Sequence, residues 1–439
     1  MTSRVLASTI LLLAVVAQPI PAQTRLTLAD AVSRARAQSP EARASMAAER
    51  EAAERVTQAR AGYWPRVDFA ESWQRGNQPV FVFSSLLSQR QFTAENFQID
   101  RLNNPDPVNN WKSAFLVQQL VFDGGGTRAG VRSAALGKDV ASAARQQVGN
   151  SLAVAATEAF GHVLRVASQK RAAAAAVEAA QRDLEVARNR RAAGLVTDAD
   201  VLALNVHLAT MRAQQITADA EERVARTRLN DVIGATLDEH FELDERPGLV
   251  IDTTDATALE REALATRPEI AMARAKEGLA DASHMAARST FLPQLAALGG
   301  YEWNGGQIDT QVSSWLVGAE VRVNLFHGFA DKARVAEAAH ARARAAAERE
   351  GAENAVRLDV RAAVARLDAA RARDEVGRAT VAQAAESQRI IHDRYEAGMA
   401  SVSDLLRAAE TVFAAESQAT AARVDVLIQT AQLERALGR

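Results

Sequence analysis

The 439-residue chain contains no cysteine. That absence excludes disulfides, thiol catalysis, thiolate metal sites and a lipidated N-terminal cysteine. Proline is scarce, 10 in all, and none falls between Gly126 and Ala193 or between Phe329 and Ala397. Charge of either sign is not in excess: 52 Lys+Arg stand against 54 Asp+Glu, and nearly all the cations are arginine. A formal charge of -2 leaves no basic footprint for nucleic acid. Beyond the N-terminus, no run approaches the roughly 18 apolar residues that a membrane-crossing helix requires. The seven histidines (162, 207, 240, 284, 327, 340 and 392) show no ligand spacing with one another. No Ser/His/Asp arrangement or paired carboxylate lies in a plausible pocket, so neither a cofactor nor an enzymatic function is expected.

What is present begins with an export signal. Arg4, the apolar run Val5 to Ala17 and the Pro-Ile-Pro-Ala before Gln23 predict a signal peptide over 1–22, with cleavage after Ala22 or after Ala17.

The rest of the chain is organised around a motif written twice, Arg-x-x-Ala-Gly-x5-Asp-x-Leu. Its copies are Arg190, Ala193, Gly194, Asp200, Leu202 and Arg394, Ala397, Gly398, Asp404, Leu406, each pair 204 residues apart. Gly194 and Gly398 suit the left-handed residue that ends a helix, with Leu195 and Met399 as the apolar residue sealing it. Thr197 and Ser401 then read as N-caps, and Asp200 and Asp404 as their acidic capping-box partners. Each copy is the tip of an antiparallel helical hairpin.

About 68 residues lead into each tip, on the order of 100 Å of helix at ~1.5 Å per residue. The apolar series Leu152, Ala156, Ala159, Val163, Val166 and Val356, Val360, Ala363, Leu367, Ala370 make heptad seams, in which alanine lets backbones approach closely. Helices of roughly 35 residues leave each tip and precede each strand region, so two placed end to end match one long helix. The pairs Pro40/Pro268 and Pro65/Pro293 are offset by 228 residues, so the first copy carries 24 extra residues.

Strand chemistry follows the first helix of each copy, at about 65–75 and 111–122, and again at about 293–303 and 313–326. Trp315, Val317, Ala319, Val321, Val323 and Leu325 alternate with Leu316, Gly318, Glu320, Arg322 and Asn324. Period-two alternation with aromatic ends fits a membrane barrel strand; a strand pair on a soluble core would look alike locally. The extra residues lie in the loop from Gly76 to Asn110, where Phe81, Phe83, Phe92 and Phe97 are expected to pack the loop onto itself or its neighbours. Asp123-Gly-Gly-Gly126 reads as a strand-to-helix swivel, since no Gly-Lys-Ser/Thr follows. The expected organisation is a first repeat over 23–238, an equatorial linker over 239–255 and a second repeat over 256–439. Four strands cannot close in lipid without leaving edge groups unpaired, so an oligomer is required: eight strands from two chains or twelve from three.

The duplicated helix-strand-strand-helix-tip-helix order, the Val117-Gln-Gln-Leu-Val-Phe-Asp-Gly-Gly run and the two glycine tips resemble the TolC-like outer-membrane efflux protein family, over about Leu26 to Leu437. The resemblance implies a mainly α fold with a small β part: a homotrimeric channel-tunnel with twelve strands in outer-membrane lipid and helical hairpins in the periplasm. It implies partners too, a periplasmic adaptor and an inner-membrane pump or exporter docked at the tips. Carried over, Asp200, Tyr395 and Asp404 match a periplasmic gate, with Tyr395 reaching toward Asp200. Gly194, Leu195, Gly398 and Met399 match the docking turns, flanked by Arg190 and Arg394, which also suit helix C-terminal carbonyls. Ala400 stands where some members have an arginine latch, and Arg407 where some have another acid. The competing expectation is a secreted coiled-coil scaffold or adhesin without a pore.

Overall fold

The structure, a computed structural model, describes residues 24–244, 251–253 and 255–439. The expected signal peptide and part of the expected linker lie outside them. In chain order the elements are β1 (Thr24–Leu26), α1 (Leu28–Gln38), α2 (Pro40–Arg60), β2 (Arg66–Gly76), α3 (Pro79–Ser88), α4 (Ile99–Asn103), β3 (Val108–Phe122), α5 (Gly126–Ala192), α6 (Asp198–Ile233) and β4 (Phe241–Leu243). Then come α7 (Ala256–Thr266), α8 (Pro268–Ser289), β5 (Gln294–Gly305), β6 (Val312–Arg322), α9 (Ala330–Glu396) and α10 (Val402–Leu437). The two long helices have 67 residues each, and the two that leave the tips have 36 each.

The chain forms two compact units. One comprises the residues up to Ser39, Leu152–Asp252 and Ala365–Gln432; the other comprises Pro40–Ser151, Thr253–Val364 and Leu433–Arg439. In the first unit, Phe160 on α5 is fully buried among Leu26, Leu28, Leu229, Ile233 and Phe241, a burial that stabilises by about 1.5–3 kcal/mol. All ten residues of the two heptad seams are buried. The linker is not wholly irregular: β4 pairs in parallel with β1, Thr24 opposite Phe241 and Leu26 opposite Leu243.

Gly234 and Gly438, 204 residues apart, end α6 and α10 in the left-handed region, at φ 71° and 85°. Each lies against the break before a proline, Gly234 beside Gln38 and Ser39, Gly438 beside Arg267. A Cβ on Gly234 would sit 2.6 Å from the Gln38 carbonyl oxygen. At the second break the buried Arg267 donates to Asp359 at 2.6 Å and to Glu269 at 2.8 Å. Its charge is thereby paired rather than stranded.

In the second unit the four-stranded sheet has the order β2-β3-β5-β6, antiparallel throughout. Register places Val67, Val117, Gly299 and Val317 across one face, with Phe69, Phe115, Tyr301 and Trp315 beside them. Most of these apolar side chains are exposed. The other face is mixed: Leu116 and Leu316 share it with Lys112 and Glu302, whose Nζ and Oε2 lie 2.6 Å apart. β3 begins at Val108, ahead of the expected 111. β6 stops at Arg322, short of the expected 326. Arg322 pairs with Gln294, the first residue of β5. The preceding residue is Pro293, which has no N–H to extend the ladder. Asn324 instead donates to Asp331 at the start of α9, at 2.5 Å.

The loop after β2 contains α3 and α4, and Phe83, Phe92 and Phe97 stack edge-on in series at 4.9 and 5.1 Å. Gln89 donates to Asn110, and Asn110 to Asn304, tying the loop to the sheet. At the swivel, Asp123 accepts from the Gly125 amide at 3.0 Å and from the Thr127 hydroxyl at 2.7 Å.

Candidate functional site: the paired helical tips

Both tips form because glycine ends one helix and a hydroxyl residue starts the next. Gly194 and Gly398 each adopt φ 73°. The Leu195 amide donates to the Arg190 carbonyl at 2.9 Å and the Met399 amide to the Arg394 carbonyl at 2.8 Å, the bonds that close a Schellman turn. The expected apolar seal is not made. Leu195 is 74% exposed and Met399 65% exposed; each turn closes through its backbone bonds and leaves its apolar side chain to solvent.

The capping boxes form at both tips. Asp200 Oδ2 accepts from the Thr197 amide and hydroxyl at 2.9 and 2.8 Å. Asp404 Oδ2 accepts from the Ser401 amide and hydroxyl at 3.2 and 2.7 Å. These bonds hold both carboxyls below the usual carboxylate range, the Thr197 amide contributing most to Asp200 and the Ser401 hydroxyl most to Asp404. Arg407 adds to the depression at Asp404, with Nη1 3.7 Å from Oδ1.

The two tips are joined by Arg190. It donates from Nη1 to the Tyr395 carbonyl at 2.7 Å and from Nη2 to the Glu396 carbonyl at 2.5 Å. A cation from the first hairpin thus satisfies the last carbonyls of α9, where the helix dipole is negative. Its guanidinium carbon also lies 4.9 Å from the centre of the Tyr395 ring. Arg394, its repeat counterpart, makes no such bond among the described residues and acts on Asp404 through charge.

Tyr395 is buried against Leu184, Val201, Leu204 and Leu405. Its hydroxyl has no hydrogen-bond partner among the described residues. Burial holds its pKa above the ordinary value. The expected reach of Tyr395 to Asp200 is therefore not made as a hydrogen bond; Thr197 takes the Asp200 oxygen instead.

Two side chains that were not expected complete the region. His392 places Nδ1 3.9 Å from Asp183 and Nε2 3.4 Å from Glu396. Burial raises the Asp183 pKa, partly offset by His392 and His207. Heptad spacing offers a signal for both: Asp183 lies seven residues before Arg190, and His392 three before Tyr395. Among the described residues no cluster could hold a metal ion, and no helix is long and apolar enough to cross a membrane.

The chain is similar to several solved structures. The outer membrane protein VceC of Vibrio cholerae is 19% identical, with 94% of this chain and 96% of that one covered and a TM-score of 0.76. The CmeC outer membrane channel of Campylobacter jejuni is 17% identical, covering 94% and 85%, at 0.79. The MtrE outer membrane channel of Neisseria gonorrhoeae, in its open state, is 16% identical, covering 94% and 88%, at 0.72. At such identities the likeness carries the fold, mainly α with a small β part. No curated protein matches the chain. The family model described as outer membrane efflux protein matches residues 31–235 and 259–439, each segment containing one copy of the tip motif. This leaves the scaffold expectation without support, and the chain belongs to the outer membrane efflux protein family.

Proposed function

We propose that the chain is the passive exit duct of a tripartite efflux or secretion assembly, a homotrimer whose twelve strands close in outer-membrane lipid. The observation that carries this reading is the four-stranded sheet with one exposed apolar face and both edge strands, β2 and β6, unpaired on one side. Such edges are costly in hydrocarbon, at several kcal/mol per unsatisfied group, and closing a ring with further copies removes the cost. Helices of 67 residues extend on the order of 100 Å, which would carry the hairpins deep into the periplasm.

In this reading the chain divides into repeats at 23–238 and 256–439. Asp200, Asp404 and Tyr395 form the periplasmic gate, with Arg190 holding the Tyr395 carbonyl. The exposed Leu195 and Met399, with Gly194, Gly398 and Arg394, offer the surface on which a periplasmic adaptor seats, linking the duct to an inner-membrane pump. Energy comes from those partners, and the duct itself lets solute diffuse. Purified protein added to planar bilayers is expected to pass ions in discrete steps. Bilayers that remain sealed across pH and salt would overturn the reading.

A further inference from the structure

We infer that the foot of the sheet carries a binding groove for the phosphate of an anionic phospholipid, in the leaflet where the strands give way to the helices. The inference deepens the membrane reading above and rests on it. The groove, of about 740 Å³, is lined by Arg128 and Arg132 from the start of α5, Arg288 from the last turn of α8 and Lys332 from the first turn of α9. Each of these helices joins a strand directly, so all four cations stand within ten residues of a strand end. Among the described residues no carboxylate lines the groove.

Further along the same helices, arginines are neutralised. Arg145 on α5 pairs with Glu49 at 2.9 Å, and Arg342 and Arg349 on α9 pair with Asp281 and Glu277 on α8 at 2.6 and 2.9 Å. Arg128, Arg132, Arg288 and Lys332 are exposed and belong to none of the ion pairs among the described residues. Like charges gathered in one groove repel each other, and an anion relieves that repulsion. Guanidinium forks match phosphate oxygens bidentately. A free phosphate would satisfy the charge alone, but the groove also carries the exposed apolar residues Phe291 and Leu292, beside the start of β5. Cations beside an apolar rim at the edge of a membrane sheet fit an anionic headgroup with its acyl chain attached.

The test uses the full-length oligomer in nanodiscs containing equal phosphatidylglycerol and phosphatidylethanolamine, with the lipids retained after detergent release counted by native mass spectrometry. Wild type is expected to retain phosphatidylglycerol preferentially. The triple change Arg128→Gln, Arg132→Gln, Arg288→Gln is expected to cut that preference by about a hundredfold. The corresponding Arg→Lys triple keeps most of it. Equal retention of the two lipids by wild type, an unchanged preference in the Gln triple, or displacement of the lipid by millimolar inorganic phosphate would each overturn the inference. The wild-type comparison decides even where a variant fails to assemble. Loss of selectivity in a protein that still needs detergent refutes the groove alone, whereas a protein soluble without detergent refutes the membrane reading itself.

Discussion

Arg190 Nη1 lies 2.7 Å from the Tyr395 carbonyl oxygen, so one side chain of the first hairpin finishes the long helix of the second. The two copies of the tip motif thereby differ in their contacts, although they share the same five motif residues. Arg190→Met, which keeps the stem and removes the charge, is expected to loosen the second tip. Hydrogen bonds from a charged donor contribute about 1.5–3 kcal/mol each. Mean conductance should rise by about tenfold or more, on the order of what one such bond allows, while Arg394→Met should leave it near wild type. Equal effects at both positions would show that the cross-hairpin bonds do not hold the tip.

Capping and gating at Asp200 and Asp404 are separable. Thr197→Ala with Ser401→Ala removes the caps and keeps both carboxylates, costing about 1 kcal/mol per helix. Asp200→Ala with Asp404→Ala removes caps and charge together. If the carboxylates constrict the passage, only the second pair should raise conductance and weaken cation preference in bilayer recordings. If both pairs behave alike, the acids serve the helix starts alone.

Acid should open the tips from the capping side. Asp200 and Asp404 have folded pKa values depressed below 3.8. Their contribution is fully present above the unfolded value and is lost as pH falls through the folded one. Asp183 is raised, so its sign is opposite: its contribution is present in acid and disappears as pH rises through its folded pKa. Pepsin cleavage beside the exposed Leu195 and Met399 is expected to accelerate as pH drops below about 3.8. The pair Asp200→Asn, Asp404→Asn should lose that pH dependence.

Adaptor docking gives a further expectation. Leu195→Asp with Met399→Asp places a charge on each exposed apolar tip without touching the turn bonds, which are backbone to backbone. Site-specific cross-linking to the adaptor in cells should fall by about tenfold or more. Conductance of the purified channel should be unchanged, and full cross-linking would move the docking surface elsewhere.

The heptad seams and glycine tips were legible because each is a local pattern, repeated at a fixed offset, whose burial and φ angles follow from a few neighbouring residues. β1 and β4 were not, since three-residue strands more than 200 positions apart leave no periodicity to read. The end of β6 is not legible either, because alternation continues in sequence through Leu325, whereas pairing stops where Pro293 ends the partner strand. The partners of Arg190 were hidden for a different reason: they are main-chain carbonyls, which every residue possesses. Heptad spacing marks Asp183 and His392 one at a time, but their pairing depends on which faces of two distant helices meet.

The strand order carries one more consequence. Four antiparallel strands per copy is an even number, so β6 of each copy runs opposite to β2 of the next, and alternation continues unbroken around any ring. Every seam then relies on the outer backbone groups of one β6 and one β2. A proline placed mid-β6 would silence one seam without unfolding its own subunit. Co-expressed with wild type, such a subunit would be genetically dominant: in the proposed three-copy ring, the yield of sound channels would fall as the cube of the wild-type share.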